Sequence, residues 1–331
     1  MADQVLALED VYVSVGRTEI LRGVSLAVEA GGAVGLVGET GSGKTMAVRT
    51  ATGLLAGIGG RVTAGSVRVA GTDLTRARDR EWRRWQGRTV ALVPQSSMTS
   101  LDPLMSVGDQ LRETVRLAGR PADLPAEVDR LVSSVRLETS PGLLRARPHE
   151  LSGGMRQRVM IALALASDPA VLVADEPTTA LDAAIRHQIL DLLTELRRDK
   201  HLGLLLISHD LSAIARATET TVVMYGGRTI ETGPTAEVVS RPRHPYTRAL
   251  VGALPERVAP GERIPAIGGQ PPLPGEISAG CGFAPRCPVA FDACRTTRPP
   301  LVEVGPGHRA ACLLDGTDRP AASAEVREVS A

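Results

Sequence analysis

Short, continuously apolar runs recur through the first 240 residues, and such runs are typical of strands buried on both faces of a parallel sheet. Stretches with apolar residues at helical spacing follow three of them. The runs predict strands over Ala33–Val37, Val90–Val93, Val171–Ala174, Leu204–Ile207 and Val222–Met224, and the stretches predict helices over Lys44–Leu55, Ala183–Asp199 and Asp210–Ala217. This alternation predicts an α/β fold with a mostly parallel sheet and flanking helices.

Two regions depart from this pattern. Residues 96–150 are rich in Arg, carry Leu and Val at helical spacing and contain five Pro. They predict a helical subdomain inserted into a unit that spans residues 1–240. Beyond Ser240 the helical periodicity mostly ends, and fourteen of the 23 Pro of the chain lie there. We therefore predict a small irregular module over residues 241–315 and a disordered tail over residues 316–331.

Composition narrows the class of protein. The 331 residues include 38 basic and 37 acidic ones, and the net charge of +1 excludes nucleic-acid binding through a strong overall positive charge. The apolar runs fall far short of the roughly 20 residues that a membrane span needs. The first residues lack the basic and apolar regions of a signal peptide. We expect a cytoplasmic protein that reaches a membrane only through partners.

The segment Gly38–Thr45 reads Gly-Glu-Thr-Gly-Ser-Gly-Lys-Thr and matches the phosphate-binding P-loop, G-x-x-x-x-G-K-[ST]. It follows a predicted strand and opens a predicted helix, which is the context that this motif requires. Its glycines let the backbone approach phosphate closely, and the amides at the helix start point at the anion. We expect Lys44 to neutralise the β- and γ-phosphates and Thr45 to bind Mg²⁺.

Two adjacent carboxylates, Asp175 and Glu176, end the apolar strand at Val171. Binding Mg²⁺ and activating a water molecule are different tasks that two carboxylates can divide. We assign the metal to Asp175 and the water to Glu176.

A second anion site is predicted at Ser152, Gly153 and Gly154, because a hydroxyl and two glycine amides precede the apolar helix that follows them. One nucleotide does not need two such sites in one chain. Two chains packed head to tail would use both, with each Ser-Gly-Gly turn closing on the γ-phosphate of the other chain.

Together, the P-loop, the Leu-Ser-Gly-Gly-Met sequence at Leu151 and the Val-Leu-Val-Ala-Asp-Glu-Pro sequence at Val171 resemble the ATP-binding subunit of an ATP-binding-cassette (ABC) transporter. The resemblance covers roughly residues 5–240. It implies a P-loop NTPase cassette with antiparallel N-terminal strands, an inserted helical subdomain and a small Cys-containing C-terminal module.

The same resemblance assigns further residues. Gln95 resembles the Q-loop glutamine, Asp182 the D-loop aspartate and His209 the switch histidine. The implied catalytic residues are Glu176, His209 and Gln95. The implied residues for ATP and Mg²⁺ are Gly38, Glu39, Thr40, Gly41, Ser42, Gly43, Lys44, Thr45, Gln95, Asp175, Ser152, Gly153, Gly154 and Asp182.

Val15 stands where this family usually has an aromatic residue that stacks on adenine, so we expect similar affinity for ATP and GTP.

Two segments resemble the peptide and nickel importer branch of this family: residues 95–111 and the His-Pro-Tyr-Thr-Arg-Ala-Leu sequence at His244. The resemblance implies a peripheral subunit on the cytoplasmic face of the cell membrane that energises import of di- or oligopeptides. Its implied partners are two permease subunits, a second cassette subunit and an extracytoplasmic substrate-binding protein, with no nucleic acid.

All four cysteines lie close together, at Cys281, Cys287, Cys294 and Cys312. Four Cys in a short stretch of a cytosolic chain favour a metal site over disulfides. Thiolates suit zinc or an iron–sulfur cluster. Resemblance to the C-terminal Cys motif of oligopeptide and dipeptide importer subunits implies a [4Fe–4S] cluster, and zinc, free thiols or disulfides remain alternatives.

Other functions stay open. The same subunit could serve an importer of nickel or another small solute. A soluble ABC ATPase that works on DNA or ribosomes is a further alternative, although the chain shows no sustained heptads and only one cassette. An export role is a third, but exporters usually fuse the cassette to membrane domains.

Overall fold

The structure, a computed structural model, describes residues 3–96, 100–119, 123–258, 261–263, 265–276 and 279–314. The strands in these ranges are β1 (Gln4–Val15), β2 (Thr18–Glu29), β3 (Ala33–Val37), β4 (Gly60–Val69), β5 (Thr72–Asp73), β6 (Val90–Val93), β7 (Val171–Asp175), β8 (Gly203–Ser208), β9 (Thr220–Tyr225), β10 (Arg228–Pro234), β11 (Val302–Gly305) and β12 (His308–Ala310). The α-helices are α1 (Lys44–Ala51), α2 (Asp79–Trp82), α3 (Val107–Leu117), α4 (Leu124–Ser134), α5 (Pro141–Arg145), α6 (Gly153–Ala164), α7 (Ala183–Lys200), α8 (Leu211–Ala217), α9 (Thr235–Ser240), α10 (Pro245–Gly252) and α11 (Asp292–Thr296).

An eight-stranded sheet in the order β11-β12-β10-β9-β3-β8-β7-β6 forms the centre of the fold. The five strands from β9 to β6 are parallel, and β10, β12 and β11 continue the sheet antiparallel. β3 and β8 are buried along their whole length, which explains their continuously apolar sequences. Because β3, β8, β7 and β6 are parallel neighbours, the residues after their carboxyl ends meet at one edge of the sheet.

A second sheet, antiparallel and in the order β2-β1-β4-β5, packs against α1. Ala47 and Val48 of α1 share a buried cluster with Val11 of β1 and Val67 of β4. This packing fixes the helix that follows the P-loop.

The inserted helices α3 and α4 pack their apolar faces on α6. Leu111, Val115, Leu131 and Val132 join Val159 in the main core. The predicted α/β fold, with its antiparallel N-terminal strands and helical insertion, is therefore confirmed.

All five predicted strands are present, and β7, β8 and β9 extend one or two residues beyond their predicted ends. Helices α7 and α8 also match the prediction to within one residue. The prediction for α1 is wrong at its end, because the helix stops at Ala51 and not at Leu55. Gly53 has a φ of +70°, and a Cβ there would lie 2.2 Å from the Trp82 ring, so the chain turns away at this glycine.

The C-terminal segment, by which we mean the described residues from 241 to 314, is more regular than predicted. β12 pairs with β10, and β11 pairs with β12, so both strands extend the large sheet. Tyr246, Val251 and Phe283 belong to the main core. The predicted tail over residues 316–331 lies outside the described residues.

A buried carboxylate ties this segment to the sheet. Glu231 of β10 is fully buried and accepts hydrogen bonds from the backbone N–H groups of Arg243 (2.6 Å) and His244 (2.7 Å). His308 Nε2 lies 2.8 Å from the same side chain. Three contacts thus satisfy a group that would be costly to bury alone.

In the described part of the chain, no helix combines the length and the apolar character that a membrane span requires.

Candidate nucleotide site

The P-loop joins the central strand β3 to α1. Gly41 and Gly43 have φ values of +83° and +103°, the left-handed region that favours glycine. A Cβ on Gly38 would lie 2.3 Å from the carbonyl oxygen of Met224, so only glycine fits there. Ser42 Oγ is buried without a hydrogen-bond partner among the described residues. The loop is therefore shaped for close approach by a polar ligand.

Lys44 is 7% exposed, and its Nζ donates to the carbonyl oxygens of Gly38 (2.5 Å) and Glu39 (3.0 Å). Burial lowers the pKa of Lys44, and the carboxylates of Glu176, Asp175 and Glu39 act in the opposite direction. An anion bound in the loop would favour the charged form of this ammonium.

Asp175 and Glu176 stand at the carboxyl end of β7. Burial, and next the charge of Glu176, raise the pKa of Asp175. Glu176 is held by its own N–H, which donates to Ile207 O of β8 at 3.0 Å. Its φ of +48° lies in the left-handed region, which is a strained conformation for a residue with a side chain.

Three side chains contact the same oxygen of Glu176, Oε2. Gln95 Nε2 donates to Oε2 at 2.9 Å and Thr179 Oγ1 donates to it at 3.0 Å, while His209 Nδ1 lies 3.4 Å away. Gln95 follows β6 and His209 follows β8, so parallel strand order alone brings them to Glu176.

These groups open into one cleft of about 490 Å³. Its lining residues are Ile20, Thr40, Gly41, Gly43, Lys44, Thr45, Met46, Gln95, Asp175, Glu176, His209 and Pro274. Nine of the sequence-predicted site residues therefore share this cleft: Thr40, Gly41, Gly43, Lys44, Thr45, Gln95, Asp175, Glu176 and His209. The cleft therefore combines three features. They are a phosphate-binding loop, hydroxyl and carboxylate oxygens that suit a hard cation, and a carboxylate that can take a proton from water.

Two family profiles match the chain. "ABC transporter" matches residues 21–179, and "Oligopeptide/dipeptide transporter, C-terminal region" matches residues 230–294. The dipeptide transport ATP-binding protein DppD of Escherichia coli is 41% identical over 301 residues, which are 90% of this chain and 92% of that protein. The chain belongs to the ABC transporter family.

Other similarities agree with this assignment. The oligopeptide transport ATP-binding protein OppD of Mycobacterium tuberculosis is 41% identical over 88% of this chain, and the chain spans about half (48%) of that protein's length. A dimeric bacterial ABC transporter cassette superposes with a TM-score of 0.61 at 25% identity, covering 70% of this chain and 98% of that one.

Gly38, Glu39 and Ser42 belong to the P-loop but are not among the lining residues, and the other four predicted nucleotide residues lie elsewhere in the cassette. Ser152 caps α6 by accepting from Met155 N (3.2 Å), and Asp182 caps α7 by accepting from Ile185 N (3.0 Å). Gly153 and Gly154 pack closely against Leu181 and Ile185. These four residues lie at two neighbouring helix starts, with Gly154 buried, and none of them is among the residues that line the cleft.

Val15, which stands where this family usually has an aromatic residue, is not among the residues that line the cleft, whereas Ile20 of β2 is one of them. Tyr12 lies under the Arg298 guanidinium, 5.8 Å from the ring centre, and does not line the cleft either.

Sequence reasoning missed what the C-terminal segment adds to this site. Arg286 forms a two-bonded ion pair with Glu39, and Tyr246 accepts a hydrogen bond from Glu39 N at 2.8 Å. Pro274 lines the cleft itself. The sequence offered two signals: Tyr246 lies in the His-Pro-Tyr sequence, and Arg286 lies beside Cys287. Neither of them indicates a contact with the P-loop.

The four cysteines converge. All of them line a small cavity of about 20 Å³ together with Phe283. Cys281, Cys287 and Cys294 carry no disulfide. Burial raises the pKa of Cys281, and it raises that of Cys287 to about 11. No three Cys, His, Asp or Glu side chains of the described ranges are arranged to hold a metal ion.

Proposed function

We propose that this chain is the ATP-binding and ATP-hydrolysing subunit of a membrane importer for di- or oligopeptides. The observation that carries the proposal is the single cleft in which Lys44, Asp175, Glu176, Gln95 and His209 meet. The peptide cargo rests on the C-terminal region matched over residues 230–294 and on relatives named as peptide transport subunits.

The residues of the cleft suit MgATP. Thr45 and Asp175 would hold Mg²⁺, because hydroxyl and carboxylate oxygens are the ligands that it prefers, and a divalent cation relieves the crowding of charge between Asp175 and Glu176. When bound, Mg²⁺ neutralises charge on the β- and γ-phosphate oxygens. Lys44, the P-loop amides and the Ser42 hydroxyl, which has no hydrogen-bond partner among the described residues, would face the same phosphates.

Glu176 is the proposed general base. It accepts the proton of a water molecule as the water oxygen bonds to the γ-phosphorus and the bond to the bridging oxygen of ADP breaks. Gln95, Thr179 and His209 contact its Oε2 and orient it. The products are ADP and inorganic phosphate.

A second cassette would complete the site. Ser152, Gly153, Gly154 and Asp182 lie together at two helix starts outside the cleft of their own chain. Packed head to tail, another cassette, identical or homologous, brings this surface onto the γ-phosphate, where its amides add electrostatic stabilisation. The similar cassette of known structure is dimeric.

Coupling to transport requires further proteins. We assign two permease subunits and an extracytoplasmic binding protein as partners, with the chain on the cytoplasmic face of the membrane. The helical insertion is the proposed permease contact, since Leu104 and Leu117 there are 79% and 73% exposed. Nucleic acid is not an expected partner.

The four cysteines are proposed to hold a [4Fe–4S] cluster with a structural role. Their convergence on one cavity supports this. Anaerobic purification with iron and acid-labile sulfide assays tests it, and stoichiometric zinc without sulfide would exclude the cluster.

The cargo is tested on the complex recovered from native membranes with the tagged subunit and its binding protein. Stimulation of ATP hydrolysis by di- or oligopeptides is the expected result. Stimulation by nickel alone would show that the cargo is nickel and not a peptide. Recovery of the chain without any membrane partner would favour the soluble ATPase alternative.

A further inference from the structure

We propose that Arg286 is a positioning residue of the nucleotide site. It fixes the P-loop through Glu39, so that the C-terminal segment contributes to ATP binding. The inference rests on the proposed ATPase function. It concerns a contact between residues that are 247 positions apart in the chain.

The Arg286 guanidinium is buried, with its side chain 5% exposed, and it uses all five of its N–H donors. Two parallel bonds reach the Glu39 carboxylate, at 2.7 and 3.1 Å. The other donors reach Tyr225 OH (3.1 Å), Gly268 O (2.7 Å) and Ile267 O (3.2 Å). Because the guanidinium is bonded on every side, the surrounding residues fix its position and, through the two parallel bonds, the position of the Glu39 carboxylate.

Glu39 is fixed at each of its polar groups. Its N–H donates to Tyr246 OH at 2.8 Å, and Tyr246 is fully buried in α10. Its carbonyl oxygen accepts from Lys44 Nζ at 3.0 Å and from Ser42 N at 3.1 Å. One residue therefore joins the C-terminal segment, through Arg286 and Tyr246, to the lysine that faces the phosphates.

The ion pair acts on the loop more than on the general base. Glu39 lies at the start of the P-loop, whereas Glu176 is held by contacts from β8, Gln95 and Thr179. Loss of the pair should therefore weaken ATP binding and leave the chemical step nearly unchanged. A residue with a merely structural role would instead change the amount of folded protein and not the KM for ATP.

The test uses the full-length chain in its membrane complex and measures MgATP hydrolysis against ATP concentration. Arg286→Met and Glu39→Ala each remove the pair, and each is expected to raise the KM for ATP about tenfold with kcat within about twofold. The double variant is expected to match either single one, because both changes remove the same interaction. Arg286→Lys keeps the charge without the forked bonds and should recover part of the affinity.

Arg309→Met is the matched control, because Arg309 is an exposed arginine of the same segment. Among the described residues its side chain donates a hydrogen bond only to Leu301 O (3.2 Å). It should leave KM unchanged. If Arg286→Met does not fold, Glu39→Ala still removes the pair from the loop side and carries the test. An unchanged KM in Glu39→Ala, or a roughly hundredfold rise in the double variant, would overturn the proposal. Absence of saturable hydrolysis in the unmodified complex would instead refute the proposed function.

Discussion

The buried carboxylate of Glu231 offers a sharp test of whether the C-terminal segment is integral to the cassette. Glu231→Gln keeps the shape of the side chain but replaces one acceptor oxygen by an NH₂ group. Oε1 accepts from Arg243 N and lies beside His308 Nε2, and Oε2 accepts from His244 N. Whichever way the amide turns, at least one backbone N–H loses its acceptor and faces another donor.

The size of the effect follows from these contacts. A hydrogen bond to a charged group contributes about 1.5–3 kcal/mol, and an unsatisfied buried donor costs about 1–3 kcal/mol. With one bond lost and the others weakened by loss of the charge, Glu231→Gln should destabilise the folded chain by about 2–4 kcal/mol.

Urea unfolding measures this cost, and hydrogen exchange of the β12 amides shows where it arises. Glu303→Gln, an exposed glutamate of β11, is the matched control and should change the free energy of unfolding by less than about 0.5 kcal/mol. Equal effects of the two substitutions, or unchanged protection of β12, would refute the reasoning.

Three further predictions concern the cleft and its support. Glu176→Gln should lower kcat by about 10²–10⁴-fold while ATP binding and dimerisation persist, measured by single-turnover hydrolysis and size-exclusion chromatography; retained turnover would exclude Glu176 as the base. Because Ile20 and Pro274 line the cleft and its lining residues include no Phe, Tyr or Trp, the Kd values of ATP and GTP should agree within about threefold by equilibrium binding, and a large preference for ATP would contradict this. Burial raises the pKa of both Tyr225 and Tyr246 above the ordinary 10. Above pH 10 these hydroxyls stay protonated in the folded chain, whereas they lose their protons in the unfolded chain. The free energy of unfolding should therefore fall as the pH rises above 10, and absorbance at 295 nm should show both tyrosines ionising only on unfolding.

Much of the nucleotide site could be predicted because it is local or follows from strand order. Gly38–Thr45 is one continuous motif. Gln95 and His209, assigned from the family resemblance, each follow a buried strand, and Asp175 ends one. Parallel strands place their carboxyl ends at one edge. The apolar runs identified those strands directly.

The rest depends on contacts that spacing does not encode. Glu39 and Arg286 are 247 residues apart, and nothing in either neighbourhood indicates the pairing. β11 and β12 have four and three residues, too few for a periodic signal, and they form because β10 offers them an edge. The end of α1 is set by the fit of Gly53 against Trp82, which is a tertiary contact.

If this cassette hydrolyses ATP to drive peptide import, the ATPase rate of its native membrane complex with the binding protein present must depend on both the peptide and Glu176. This rate should rise when di- or oligopeptides are added and fall by about 10²–10⁴-fold in the complex carrying Glu176→Gln. A rate that is indifferent to peptides, or that survives this substitution, would contradict the proposal.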